Sequence, residues 1–165
     1  MTVRTILTWP DKRLRTACAE VTEITEEVRR IWDDMIETMD AMPGVGLGAP
    51  QIGVMQRLAV VDTSEARNKR IRLANPEVID ASAILNVHEE ASPCLSGVSA
   101  KISRPRGVKV RYTDETGAVV ERDFVGLDAT SVQHQIDHLD GKMYFDRLSK
   151  MKRDMLIRRA RKMNG

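Results

Sequence analysis

The chain has 165 residues, 42% of them hydrophobic and 30% charged, with Lys+Arg 26 against Asp+Glu 24 for a formal net charge of +2. That length and mix suit one domain around its own core. They exclude disorder and collagen-like order, and no run approaches the ~18 apolar residues of a membrane helix. The N-terminus shows no signal-peptide block, and two cysteines, Cys18 and Cys94, are too few for a disulfide framework, so a reducing cytoplasm is expected.

In chain order, the first helix is predicted over 26–42. There Val28, Ile31, Trp32, Met35, Met39 and Met42 recur at spacings of three and four along one apolar stripe. Thr25 is its expected N-cap, Glu26 and Glu27 suit its positive end, and Pro43 stops it. A glycine-rich loop, GVGLGAPQIG, fills 44–53. Short strands are predicted at 57–62, 71–74, 84–88, 107–113 and 118–125, with a turn at 114–117 joining the last two. A second helix is expected over 129–139, with Asp128 as N-cap and Gly141 just past its end. A third, over about 146–163, would pack Met151, Met155 and Leu148 on the body. Strands in the middle with helices at the ends give an α+β class, with residues 1–165 as one domain.

The net charge hides an asymmetry. Residues 147–165 hold eight basic side chains and one acid, Asp154, for +7, and residues 1–146 carry −5, from 18 basic against 23 acidic side chains. A basic tail on an acidic body suggests a polyanionic partner.

The chemistry-bearing residues concentrate on the second helix, in Gln133-His134-Gln135-Ile136-Asp137-His138. Residues four apart differ by about 40° around a helix, so the two imidazoles share a face and can grip one transition metal. Ser131, Thr130 and Leu127 extend that face backward, while Val132, Ile136 and Leu139 point the other way, toward a core. Such a helix suits the floor of a cleft. A histidine pair at this spacing also occurs as two ordinary polar side chains. Cys94, within Ser92-Pro93-Cys94-Leu95-Ser96-Gly97, offers a third donor, and a Cys/His/His set leaves a coordination position open for water or substrate. The bland reading of Cys94, and of Cys18, is a small buried hydrophobe. His88 is a lower-ranked substitute ligand.

Three segments in order, Gly44-Val45-Gly46-Leu47-Gly48-Ala49-Pro50-Gln51, Cys94-Leu95-Ser96 and His134-Gln135-Ile136-Asp137-His138-Leu139-Asp140-Gly141, resemble the peptide deformylase motifs GxGLAAPQ, EGCLS and QHExDHLxG. The opening segment, with Ile6-Leu7, Pro10-Asp11 and Leu14-Arg15, is similar as well, so the likeness spans about residues 4–150. The resemblance implies a compact deformylase-like fold with small antiparallel sheets around a central metal-binding helix. It also implies one divalent metal, Fe2+ or Zn2+ with Ni2+ or Co2+ able to substitute, held by Cys94, His134 and His138. The family's reaction is removal of the N-formyl group from formyl-Met peptides on nascent chains. By position, Gln51 and the backbone N–H of Leu95 would hold the oxyanion. The Gly44, Val45 and Gly46 backbone would pair with the peptide as an added strand. The basic C-terminal helix would meet ribosomal RNA. A cytoplasmic monomer with no membrane role is the matching expectation.

The same comparison marks departures. Gln135 stands where the family has its general acid/base Glu. An amide can hydrogen-bond a water but cannot take up a proton near neutral pH. Losing a positioned acid/base typically slows a reaction by about 10²–10⁴-fold. Ser92-Pro93 replaces the Glu-Gly before the cysteine, and Pro93 has no N–H to donate. Gly48 replaces an Ala. Thr130 and Ser131 make the methionine side-chain pocket, with Leu127 at its edge, more polar than the family's. Asp137 belongs to the family pattern with a structural role, and Glu89 or Glu90 swinging toward the metal ranks low. Two functions remain open: a slow or redirected metal-dependent deformylase, and a non-catalytic binder of formyl or acyl peptides associated with the ribosome.

Overall fold

The chain folds around its second helix. The computed structural model describes residues 2–164; Met1 and Gly165, the ends of the expected domain and basic tail, lie outside the described residues. In chain order the regular elements are α1 Glu26–Ala41, β1 Gly46–Gly48, β2 Leu58–Val61, β3 Ile71–Ala81, β4 Leu85–Ser92, β5 Leu95–Pro105, β6 Gly107–Thr113, β7 Val119–Val125, α2 Leu127–Leu139 and α3 Lys150–Asn164. Strands β1-β2-β3-β6-β7 form one five-stranded sheet and β4-β5 a separate hairpin, every pairing antiparallel. The α+β class expected from the sequence is the one observed.

Helix α1 forms where its stripe predicts. The Thr25 side chain accepts from Val28 N at 3.2 Å, capping the first turn. Val28, Ile31, Trp32, Met35 and Met39 are buried against Leu47, Leu58 and Val60 of the sheet. The β6–β7 hairpin also matches, with Gly117 N donating to Asp114 O at 3.0 Å and Gly117 at φ 88, a conformation that favours glycine.

Several boundaries differ for identifiable reasons. The glycine-rich stretch 44–53 contains β1 and a 3-10 turn, Ala49–Ile52, because Gly46, Leu47 and Gly48 pair with Val61, Val60 and Ala59. Strand β3 runs past the predicted 74 to Ala81, and a register shift between Ala74 and Glu77, with Asn75 at φ 51, absorbs Asn75-Pro76. Strand β5 was not predicted. Its Ser, Gly and Lys content carries no strand pattern, and its state comes from pairing with β4. Helix α2 starts at Leu127 with Gly126 as cap; Asp128 is therefore inside the first turn, where its carboxylate accepts from Thr63. The third helix is interrupted: a 3-10 turn, Tyr144–Arg147, precedes α3, with Leu148 extended between them. Its buried side is Leu156 and Ala160 rather than Met151 and Met155, which are 72% and 50% exposed. Leu148 packs partly on the body as expected.

Residues 129–139 of α2 are all buried. Val132, Ile136 and Leu139 enter the core of the larger sheet, as their spacing predicts. The histidine face is not an open floor, because the β4-β5 hairpin covers much of it. No helix among the described residues is long and apolar enough to cross a membrane.

Candidate active site

A cleft of about 420 Å³ opens between β1 and the β4-β5 hairpin, over the α2 face that carries His134 and Gln135. That volume suits a small ligand or a few residues of peptide. A larger depression of about 750 Å³ near Arg4, Arg30 and Asp34 holds none of the histidines, and its Arg4 and Asp34 are already paired at 2.7 Å. The chemistry belongs to the smaller cleft.

Helix spacing brings the imidazoles together: His134 Nε2 and His138 Nε2 are 3.2 Å apart. Strand β4 sets the first ring. Glu90 Oε1 accepts from His134 Nδ1 at 2.8 Å, which leaves the His134 Nε2 lone pair facing its neighbour. Burial, with the Arg104 guanidinium adding to it, holds His138 well below the usual imidazole range, which favours the neutral ring with a nitrogen lone pair available. Two nitrogens at 2.0–2.1 Å from one tetrahedral ion stand roughly 3.3 Å apart, so the pair fits a shared cation.

Beneath the pair lies an ion network that sequence reading missed. Arg104, 1% exposed, donates to Glu90 at 2.7 and 2.9 Å and to Asp137 at 2.9 Å. Arg147 adds bonds to Asp137 at 2.8 and 3.0 Å. Burial alone would raise the Glu90 carboxyl; hydrogen bonds from His134 and Arg104 outweigh it and hold Glu90 at about 2, against an ordinary 4.5. Burial and the Glu90 charge push the adjacent Tyr144 hydroxyl, whose ring stacks on His134, up to about 12. Nothing local in the sequence signals Arg104, which reaches 14 and 33 residues along the chain to its partners.

The other expected residues fall into place unevenly. Gln135 is 4% exposed and lines the cleft, and its Oε1 has no hydrogen-bond partner. Its amide packs so tightly on Gly46 that a Cβ there would lie 2.5 Å from Gln135 Nε2. Gln51 accepts from Gly48 N at 2.9 Å and turns its Nε2 to Cys94 Sγ at 3.5 Å. Ser131 donates to Val45 O at 2.9 Å, and Thr130 meets His88 Nδ1 at 2.7 Å, so His88 is occupied away from the histidine pair. Gly44, Val45 and Gly46 line the rim opposite Leu127, and β1 ends the sheet, leaving its outer edge unpaired. Leu95 sits opposite Ser92 at the hairpin turn. Cys94 is buried in an apolar cluster with Leu14, Leu95, Ile102 and Phe145, and burial pushes its thiol up against the opposing hydrogen bonds of Gln51 and Ser92. Among the described residues, no three of His, Cys, Asp and Glu gather into a metal cage. The histidine pair is assembled, and the Cys94 thiol lies one hydrogen bond away, on the Gln51 amide that lines the same cleft.

The polypeptide deformylase family model matches residues 3–154. A peptide deformylase of Rhodopseudomonas palustris strain TIE-1 is 43% identical over 166 residues, spanning 98% of this chain and 95% of that protein. One from Rhizobium meliloti strain 1021 is 42% identical over 98% of this chain and 94% of its own length. The crystal structure of peptide deformylase from Ehrlichia chaffeensis superposes with a TM-score of 0.92 at 33% identity, covering 99% of this chain and 97% of that one. The same enzyme in complex with actinonin gives a TM-score of 0.92 at 35% identity, over 99% and 98% of the two chains.

Proposed function

Because the chain belongs to the polypeptide deformylase family, which removes N-formyl groups from nascent peptides, we propose that its cleft binds formylated or related acyl peptides and hydrolyses them poorly. Peptide deformylases are metalloenzymes, and here His134 and His138, with Cys94 as the third donor, would hold one divalent ion, Fe2+ or Zn2+, with Ni2+ and Co2+ as substitutes. When bound, such an ion acts as a Lewis acid that polarises a carbonyl and supplies a nucleophile from water at neutral pH.

The remaining work falls to the chain itself. The free edge of β1 offers backbone groups for a peptide to add as a strand. Glu90 fixes the His134 ring and its tautomer. Gln135 reaches the reacting region with an acceptor, Oε1, and a donor, Nε2, but neither exchanges a proton near neutral pH. The leaving amine therefore lacks its proton source. Pro93 has no N–H for a developing oxyanion, and the Gln51 amide is engaged with Cys94. Thr130 and Ser131 make the side-chain pocket more polar, although each is satisfied internally by His88 and Val45.

The observation that carries this reading is the buried Gln135 Oε1 beside the histidine pair with no partner of its own. The test is turnover of a formyl-Met peptide by anaerobically iron-loaded protein at saturating metal, against Gln135→Glu. Turnover by the unmodified chain is expected to be lower by about 10²–10⁴-fold than by the Glu variant. Equal and robust turnover by both would refute it.

A second reading, a ribosome-associated binder, draws on α3. With Leu156 and Ala160 facing the body, Lys150, Lys152, Arg158, Arg159, Arg161 and Lys162 stand exposed. Clustered cations of this kind suit a phosphate backbone. In either reading the protein works as a cytoplasmic monomer.

A further inference from the structure

The sheet holds the chain entering β1 only as far as Gly46, whose pairing with Val61 is the last rung of the β1–β2 ladder. Gly44 and Val45 line the cleft just before that rung, with Pro43 ahead of them and Val45 set between two glycines. Backbone of that composition is loose unless something outside the ladder fixes it. Three groups do so. Asp62 N donates to Val45 O at 3.0 Å, Ser131 Oγ donates to the same carbonyl at 2.9 Å, and Arg67 Nη2 donates to Gly44 O at 2.7 Å.

Arg67 lies in the 62–70 connection between β2 and β3. Its Nη1 donates to Asp62 O at 3.0 Å, so one guanidinium grips both strands just past their last pair. Its Nη2 and Nε also donate to Asp40, in the final turn of α1, at 2.8 and 3.3 Å. Asp40 alone does not account for the arginine, because Arg70 Nη1 already stands 2.6 Å from the other Asp40 oxygen. What Arg67 adds is its hold on two main-chain carbonyls, and such charge-assisted bonds are stronger than neutral ones. Arg67 also takes φ 55, a left-handed conformation that an arginine rarely adopts. Asn75, at φ 51, is of a residue type that tolerates it. A disfavoured backbone kept under a side chain with this reach points to function.

We propose that Arg67 is a positioning residue for peptide binding: its guanidinium sets the Gly44–Val45 segment in the shape that an added strand of formyl peptide must find. The proposal rests on the reading of the β1 edge as the peptide's partner. An edge fixed in advance removes an ordering cost from binding, so the effect is read in affinity. The fold depends on Arg67 much less, since half-exposed ion pairs contribute little stability and Arg70 keeps its bond to Asp40.

Arg67→Asn tests this, because asparagine accepts φ 55 and has no guanidinium. Calorimetric titration of the full chain with formyl-Met-Ala-Ser separates Kd from the number of sites, and a merely destabilised protein would lose sites while keeping its Kd. Arg67→Asn is expected to keep one site and to show a Kd raised by about tenfold, or about 1.4 kcal/mol. Its backbone amides are expected to exchange hydrogen faster around Gly44–Gly46 and at wild-type rates in α2. If wild type binds and Arg67→Asn matches its Kd, or differs only in the number of sites, the positioning role is overturned and the cleft reading stands. If wild type does not bind the peptide, the β1-edge reading falls and the proposal with it. Should Arg67→Asn fail to fold, Arg67→Gly carries the same comparison, because glycine takes this φ freely.

Discussion

Arg104→Met removes the cation that holds the site's carboxylates. Arg104 gives Nε and Nη2 to Glu90 and Nη1 to Asp137, all between 2.7 and 2.9 Å, from a side chain 1% exposed. Asp137 keeps Arg147 as a second partner, whereas Glu90 keeps only His134. Breaking a buried charged pair by removing one member costs about 3–5 kcal/mol, because the other charge is left without compensation. The Glu90 carboxyl gives a second route to the size. Burial raises it, hydrogen bonds from His134 and Arg104 more than reverse that, and it rests at about 2 rather than 4.5. At about 1.36 kcal/mol per pH unit, this gap is worth about 3 kcal/mol. The sign is that of a folded group more acidic than its unfolded counterpart. The stabilisation is complete above pH 4.5 and drains away as the pH falls toward 2. In Arg104→Met burial is less opposed, Glu90 takes up its proton at higher pH, and acidification relieves the variant while it weakens the wild type. Urea unfolding followed by circular dichroism is therefore expected to show a deficit of about 3–5 kcal/mol at pH 7 that narrows by more than about 1 kcal/mol at pH 4. Set against the roughly 5–15 kcal/mol of a typical domain, that deficit is large. A deficit below about 1 kcal/mol at pH 7, or one that is equal at the two pH values, would refute the reasoning.

Two glycine positions give further tests. A Cβ at Gly46 would lie 2.5 Å from Gln135 Nε2 and 2.6 Å from Ser131 Oγ, so Gly46→Ala should displace the Gln135 amide and disturb the β1 edge. Calorimetric titration with a formyl-Met peptide is expected to show affinity down by about tenfold or more, equal to about 1.4 kcal/mol. Gly141 and Gly117 share positive φ values of 76 and 88, but a Cβ at Gly141 would sit 2.8 Å from the Arg15 carbonyl while one at Gly117 meets nothing within 4 Å. Gly117→Ala should cost only about 1 kcal/mol of backbone strain, and Gly141→Ala clearly more, by thermal unfolding. Equal losses at the two sites would show that the Arg15 contact yields easily.

What the sequence made legible was local. The α1 stripe, its Thr25 cap and the 114–117 turn are each specified within a few neighbouring residues, so they survive folding unchanged. The pairing of His134 with His138 is local for the same reason, since four residues of helix bring them together whatever surrounds them. Strand β5 was not legible, because its polar residues become a strand only through β4. Nor was the buried side of α3: Met151 and Met155 share the four-residue spacing of Leu156 and Ala160, and the interruption at Leu148 decides which pair turns inward. The charge sum shows the limit most sharply. Glu90, Asp137, Arg104 and Arg147 cancel in it completely, yet with Glu90 and Arg104 out of water they fix the His134 ring and hold the hairpin to the helix. A charge matters to this site through its burial, and burial is assembled from residues far apart in the chain, so no count along the sequence could rank those four above the exposed cations of α3.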